Sequence, residues 1–293
     1  MKRDKKMTVR RPIQTVLLAW LFLMLAVAPV QADVISSIPR GMPNHNQSDL
    51  ESPKKDYYCG PVAAWNSIEW LYQKYPGYFK DTKPADWKTG ALELGGFMKT
   101  DTNKGTWVSD FMSGKEEYLK KHGKAGAWTV ESKNADWDPV NQKYNTDKPD
   151  WKWIKEQVDK GQDVEVVIRW DSGAHWTLPD PGKGILDTYP FAAVILTLDY
   201  YSWDDTNNNR LFDTGDSLDW YFSDPHQEDS SMSMSLGTSP VAAGADWIKG
   251  DYGGKSVWVT AAVAESPVPE PATVLLLGAG LIGIVISGRR FQW

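Results

Sequence analysis

Tyr57-Tyr58-Cys59-Gly60-Pro61-Val62-Ala63-Ala64-Trp65-Asn66 contains the one cysteine of the 293-residue chain. A single thiol closes no intramolecular disulfide. In an exported chain, where cysteines normally pair, a lone one is a buried apolar residue, an intermolecular link or a reactive group. Gly60-Pro61 starts a helix, because proline suits the first helical position. Ala64, Ile68, Leu71, Tyr72 and Tyr75 then recur at helical spacing up to Pro76-Gly77. Cys59 therefore stands at a helix N-terminus. There the dipole favours a thiolate, and unpaired backbone N–H groups can receive a developing oxyanion.

Working outward, both ends of the chain read as addresses. Residues 1–32 run from a basic stretch, Met1 to Arg11, through apolar Val16 to Val30, to the small-x-small step Val30-Gln31-Ala32. This is a secretory signal that signal peptidase removes after Ala32. At the other end, Val268-Pro269-Glu270-Pro271 precedes an apolar run over 272–288, and Arg289-Arg290 follow. The run is just long enough to predict a transmembrane helix with its arginines on the cytoplasmic side. Pro-Glu-Pro, short apolar helix and terminal arginines together resemble the PEP-CTERM sorting tail of Gram-negative exopolysaccharide producers. That resemblance implies processing by an exosortase near the Pro-Glu-Pro, a transient membrane anchor and delivery to the cell surface or extracellular matrix. Gly278-Ala279-Gly280-Leu281-Ile282-Gly283 spells a dinucleotide fingerprint, but it lacks the preceding strand and lies within the apolar run, where small residues are common.

Between these signals, 33–266 suffices for one sizeable domain. Without residues 1–32 the chain keeps 26 basic and 37 acidic residues, a net charge of −11. That balance argues against nucleic acid as a partner. The 16 tryptophans are spread along the domain, suited to core and sheet faces, with some available to line a groove for exopolysaccharide.

Residues 33–56 read as an extended arm. A helix is predicted from about Trp107 to His122, stopped by Gly123, and a short strand over Ala127 to Glu131. Asp150 caps a helix over Trp151 to Lys160, Gly161 ends it, and Val164 to Trp170 follows as a strand. Phe191 to Trp203, Ser217 to Ser223 and Ser256 to Ala264 read as further strands. A helical first half and an antiparallel second half make an α+β pattern.

His175, in Trp170-Asp171-Ser172-Gly173-Ala174-His175-Trp176, follows a β-rich run and is the candidate base for Cys59. His45, His122 and His226 read as ordinary surface histidines. Together these residues resemble papain-like cysteine peptidases of the type that process bacteriocin leaders. The carrying motifs are Cys59-Gly60-Pro61-Val62-Ala63-Ala64, Met98-Lys99-Thr100, Gly105-Thr106, Tyr118-Leu119 and the helix, glycine, strand and histidine from Trp151 to His175. The resemblance implies a papain-like α+β fold, with a helical half packed on an antiparallel sheet, and a Cys59–His175–Asp224 triad. Asp224-Pro225 ends a later strand in that scheme, and Gln47 completes the oxyanion hole. Gln47 lies twelve residues before Cys59, farther than the family's spacing, and Pro179-Asp180-Pro181-Gly182 interrupts the strand after His175. If Phe191 to Trp203 is instead the family's histidine strand, Ala192 or Ala193 takes the place of the base and the protein is a non-catalytic relative.

Asp205-Thr206-Asn207-Asn208-Asn209-Arg210-Leu211-Phe212-Asp213-Thr214-Gly215-Asp216 places oxygen-bearing groups at the spacing calcium requires. The candidate ligands are Asp205, Asn207, Asn209, the Leu211 carbonyl, Asp213 and Asp216; an Asn/Asp-rich turn is the alternative. The sequence therefore predicts an exported, surface-directed cysteine peptidase or related amide hydrolase acting on a peptide or protein, with a structural Ca2+. A catalytically inactive surface or matrix-binding module stands as the alternative from another class. Transglutaminase-like acyl transfer would use the same groups.

Overall fold

The computed structural model of the chain describes residues 33–268 apart from 38–39, 136, 139–142, 145, 171–192, 214, 227–229 and 238–246. Its first part is helical. Helix α1 (Cys59–Lys74) is followed by α2 (Trp87–Phe97), α3 (Val108–His122) and, after strand β2 (Trp128–Asn134) and the small ladder β3 (Trp137–Asp138) with β4 (Lys143–Tyr144), by α4 (Trp151–Asp159). The arm contributes strand β1 (Asp33–Ser36) and two single-turn 3-10 helices, Gln47–Asp49 and Lys54–Asp56. The remainder is strand: β5 (Asp163–Trp170), β6 (Ala193–Asp205), β7 (Ser217–Ser223), β8 (Ser230–Gly237), β9 (Trp247–Tyr252) and β10 (Lys255–Pro267).

These strands do not form the open sheet of a papain-like fold. They pair antiparallel in the order β6-β5-β10-β9-β8-β7, and β7 pairs back on β6, from Thr197 opposite Ser223 to Asp204 opposite Ser217. The result is a closed six-stranded antiparallel barrel. Strand β1 extends it alongside β6, and β2 alongside β10. The expectation of a papain-like α+β fold is thus overturned, for a physical reason. Closing the ring pairs both edges of the sheet, which removes unsatisfied edge strands. Two strands absent from the sequence reading, β8 and β9, supply the closure.

Closure also explains why β5 is buried along its whole length. Val164, Val166, Ile168 and Trp170 point into the barrel, where they meet Leu196, Leu198, Trp220, Phe222, Met232, Met234, Ala262 and Ala264. Their sequence neighbour Val167 faces outward, joining Ile195, Ala261 and Val263 beneath α1, α2 and α3. Helix α1 crosses α2 closely: a Cβ on Gly90 would lie 2.3 Å from the Trp65 ring. Trp65, Trp203 and Trp220 are fully buried, in line with tryptophan as core material, whereas Trp107 at the start of α3 is exposed.

No helix among the described residues is long and apolar enough to cross a membrane. The apolar run 272–288, predicted as a transmembrane helix, lies outside the described residues, as do residues 1–32.

Candidate functional site

Helix α1 begins at Cys59, as its sequence predicts, with Tyr58 as N-cap. The start of the helix is pressed onto the barrel. A Cβ at Gly60 would lie 3.2 Å from Thr106 Oγ1 and 3.3 Å from Ile195 Cδ1, so only glycine fits without displacing them. The Cys59 sulfur lies among the backbone N–H groups of Ile195, Gly60 and Cys59 itself. The amides that would serve an oxyanion are therefore turned on the thiol.

Two of the four predicted catalytic residues, Cys59 and Asp224, come together here, and a third, Gln47, is tied to the residue after Asp224. Asp224, at the end of β7, is fully buried and close enough for its charge to act on the thiol. Gln47 is buried, and its backbone N–H donates to the Pro225 carbonyl at 2.7 Å. The fourth, His175, lies outside the described residues.

The electrostatics of the site run against a thiolate. Burial pushes the Cys59 thiol up to about 11, and the Asp224 carboxylate pushes in the same direction. Backbone hydrogen bonds oppose this but do not win. Cys59 nevertheless keeps part of its surface in solvent, so the upward push from burial is weaker than for a sealed thiol, and the helix-dipole effect expected from the sequence acts against it.

Both carboxylate oxygens of Asp224 accept hydrogen bonds. The His226 backbone N–H donates to Oδ1 at 2.8 Å, and the Tyr252 hydroxyl donates to Oδ2 at 2.7 Å. Tyr252 lies at the end of β9, and its hydroxyl also senses the Cys59 charge. Burial, and then Asp224, hold its proton well above the usual tyrosine range. A phenol that keeps its proton is thus bonded to the aspartate that the sequence reading assigned to orient His175. Gln47 likewise spends its side-chain amide on the Lys55 carbonyl, at 2.8 Å.

His45 and His122 have structural partners. His45 Nε2 lies 2.7 Å from Glu69 Oε2, and its ring stacks on Trp87. His122 lies 3.0 Å from both Asp81 and Glu93. An open cavity of about 750 Å³ occurs away from the thiol, lined among others by Arg40, Trp70, Lys74 and Asp159.

The predicted calcium loop joins β6 to β7, so strands flank it, as the sequence indicated. Asp205 is buried; its Oδ1 accepts the Asn209 N–H at 3.2 Å and its Oδ2 the Arg210 N–H at 2.7 Å. The Asp213 carboxylate receives the side-chain amides of Asn207 and Asn209, the latter at 2.6 Å. Asp216 accepts from the Thr206 and Asp213 N–H groups, at 3.0 and 3.1 Å. Asn209 Oδ1 receives the Leu211 N–H at 2.6 Å. Arg210 has φ +60°, a backbone conformation that favours glycine. The donor set is carboxylate and amide oxygen, which fits a hard cation if each amide turns by 180° to present oxygen.

Compared with known protein families, the chain carries the PEP-CTERM protein-sorting motif at residues 267–290. None of the curated proteins matches the chain. The papain-like resemblance of the domain body found no counterpart among families. The sorting motif implies an exported protein, processed by an exosortase and destined for the cell surface or extracellular space.

Proposed function

We propose that this exosortase-processed surface protein works as a non-catalytic barrel module of the cell surface or exopolysaccharide matrix. The observation that carries the reading is the Cys59–Tyr252–Asp224 arrangement. The thiol is raised to about 11, and the carboxylate beside it is bonded to a protonated phenol. Burial and the Asp224 carboxylate both disfavour the thiolate, and a phenol that holds its proton is no base. The exposed Trp107 and the acidic charge suit a matrix component that contacts neutral sugar rings rather than anionic polymers.

A second reading, a cysteine peptidase or related amide hydrolase with His175 as base, is favoured by one observation. Cys59 and Asp224 come together, with the main chain of Gln47 tied to the residue after Asp224, although the three span residues 47–224. The proposal also includes a structural calcium ion held by Asp205, Asn207, Asn209, the Leu211 carbonyl, Asp213 and Asp216, whose role would be to fix the β6–β7 hairpin.

Iodoacetamide labelling of native protein between pH 6 and pH 11 separates the readings. The module reading expects labelling slower than a free model thiol at pH 7, rising steeply toward pH 11, with retention on purified exopolysaccharide. Faster-than-model labelling at pH 7, together with peptide or amide turnover lost in Cys59→Ala, would overturn it in favour of the hydrolase.

A further inference from the structure

Where the helical layer meets the barrel, four charged groups are buried with no solvent exposure. Lys115 enters from α3, Asp163 and Glu165 lie two residues apart on the outward face of β5, and Glu265 lies on β10 directly opposite Asp163. The Lys115 ammonium bonds Glu165, Glu265 at 2.5 Å, Ser67 Oγ at 2.8 Å and Asp163 at 3.4 Å. Ser67 of α1 also donates to Asp163. Beyond this shell, the Arg40 guanidinium of the arm, with Lys74 and Tyr75 at the end of α1, act on Asp163 from a distance. The three carboxylates have the mutual spacing of a cation cradle, and the lysine fills it.

The charges do not balance. Three carboxylates face one ammonium, and Asp163 Oδ1, Glu165 Oε2 and Glu265 Oε1 are buried without a hydrogen-bond donor. A buried acceptor without a donor, in a cluster with excess negative charge, is relieved by binding a proton, which supplies both a donor and a positive charge.

The location gives the cluster a consequence. Glu265 is the third residue from the end of β10, clasped between Asp163 of β5 and Val130 of β2. Pairing continues to Pro267 opposite Trp128, and the Val268 N–H donates to the Ala127 carbonyl at 2.8 Å. The sorting motif begins at 267, so the tail leaves the domain directly from this ladder.

We propose that the Lys115–Asp163–Glu165–Glu265 cluster is a proton-dependent clamp on the root of the sorting tail, closed while it holds a proton and loosened when the proton leaves. Local opening is the cheaper response to deprotonation, because freeing Glu265 breaks only the last pairs of β10, whereas freeing Glu165 would break the barrel. The sign is set by burial, which outweighs the attraction of Lys115: Glu165 is raised to about 7, and Glu265, pushed up by burial and then by Glu165, well above the ordinary carboxylate range. A carboxyl raised in the folded state stabilises it at pH below the unfolded value, and that contribution is lost as pH climbs through about 7. For one proton the loss is about tenfold in the closed-to-open ratio per pH unit.

The test is hydrogen exchange of the full chain at pH 5.5 and pH 8.5, corrected for intrinsic rates, comparing the amides of 261–268 with those of β6. Protection of 261–268 should fall about tenfold or more relative to β6, and Glu265→Gln should abolish the difference. Glu165→Gln provides a second variant if Glu265→Gln does not fold, and it should shrink the drop. Equal protection at both pH values, or an undiminished drop in the variant that folds, overturns the clamp. The outcome is independent of whether Cys59 is catalytic.

Discussion

At the residue scale, the structure sets Asp224 close enough to Cys59 for its charge to act on the thiol, and it ties Gln47 to Pro225, the residue after Asp224. A helix start and a lone thiol are visible in Cys59-Gly60-Pro61. What surrounds the sulfur is not, because Ile195 and Tyr252 arrive from strands 136 and 193 residues downstream. Desolvation is a property of the packed neighbourhood and has no local signature. The hydroxyl of Tyr252 is the sharpest example, being one tyrosine among twelve until β9 carries it to Asp224. Tyr252→Phe should leave Asp224 Oδ2 without that donor and destabilise the fold by about 1–3 kcal/mol, the usual cost of orphaning a buried polar partner. Urea midpoints of the two proteins at pH 7 measure it, and a variant as stable as the parent would show that the contact does not hold the site together.

At the element scale, helices with strong punctuation were legible, and two strands with weak punctuation were not. Asp150 caps α4 through the Trp153 N–H as its sequence indicates. Strand β8 was missed although Ser231-Met232-Ser233-Met234-Ser235 alternates with period two; Met232 and Met234 are buried while the serines between them face out. Methionine and serine are not typical strand formers, so the pattern was there and the propensity was not. Strand β9 carries Gly250, where a Cβ would meet Met232 Sδ at 2.5 Å, so its glycine marks a close approach rather than a turn. Helix α2 was hidden for a similar reason, since Gly90 and Gly95 interrupt a pattern that tertiary packing against Trp65 and Tyr58 restores.

The β6–β7 loop belongs to the same scale. Three aspartates drawn together without a cation repel, and binding one would stabilise the hairpin in proportion to the logarithm of its concentration. Millimolar calcium should raise the melting temperature of the native chain and Asp205→Ala should remove the increment, while Arg210→Gly should raise the melting temperature with and without calcium by relieving the positive φ. Identical melting curves with calcium and with chelator would leave the loop an ordinary asparagine-rich turn.

For the whole molecule, the governing fact is that one sheet serves two cores. The inward face of β5 and β10 fills the barrel, and the outward face carries the helices. The sequence marked Val164 to Trp170 as a strand, yet β5 begins at Asp163 and carries Asp163 and Glu165 on its outward face, and α3 places Lys115 on its buried stripe with Phe111, Tyr118 and Leu119. A lysine on an apolar stripe and carboxylates inside a valine strand are each anomalies in sequence; only the closed architecture shows that they answer one another. The attachment of the helical layer to the barrel therefore rests on a charge cluster set into an otherwise apolar interface. Lys115→Met should cost about 3–5 kcal/mol, because it strands buried carboxylates rather than because it deletes a bond. The distinction is measurable. If stranded charge is the cause, Lys115→Met combined with Glu165→Gln and Glu265→Gln should recover most of the loss at pH 8 and little of it at pH 5, where the carboxyls are already protonated. Equal losses at both pH values, with no recovery in the triple variant, would mean that Lys115 matters through the packing of its methylene stem and that the cluster carries no net charge to relieve.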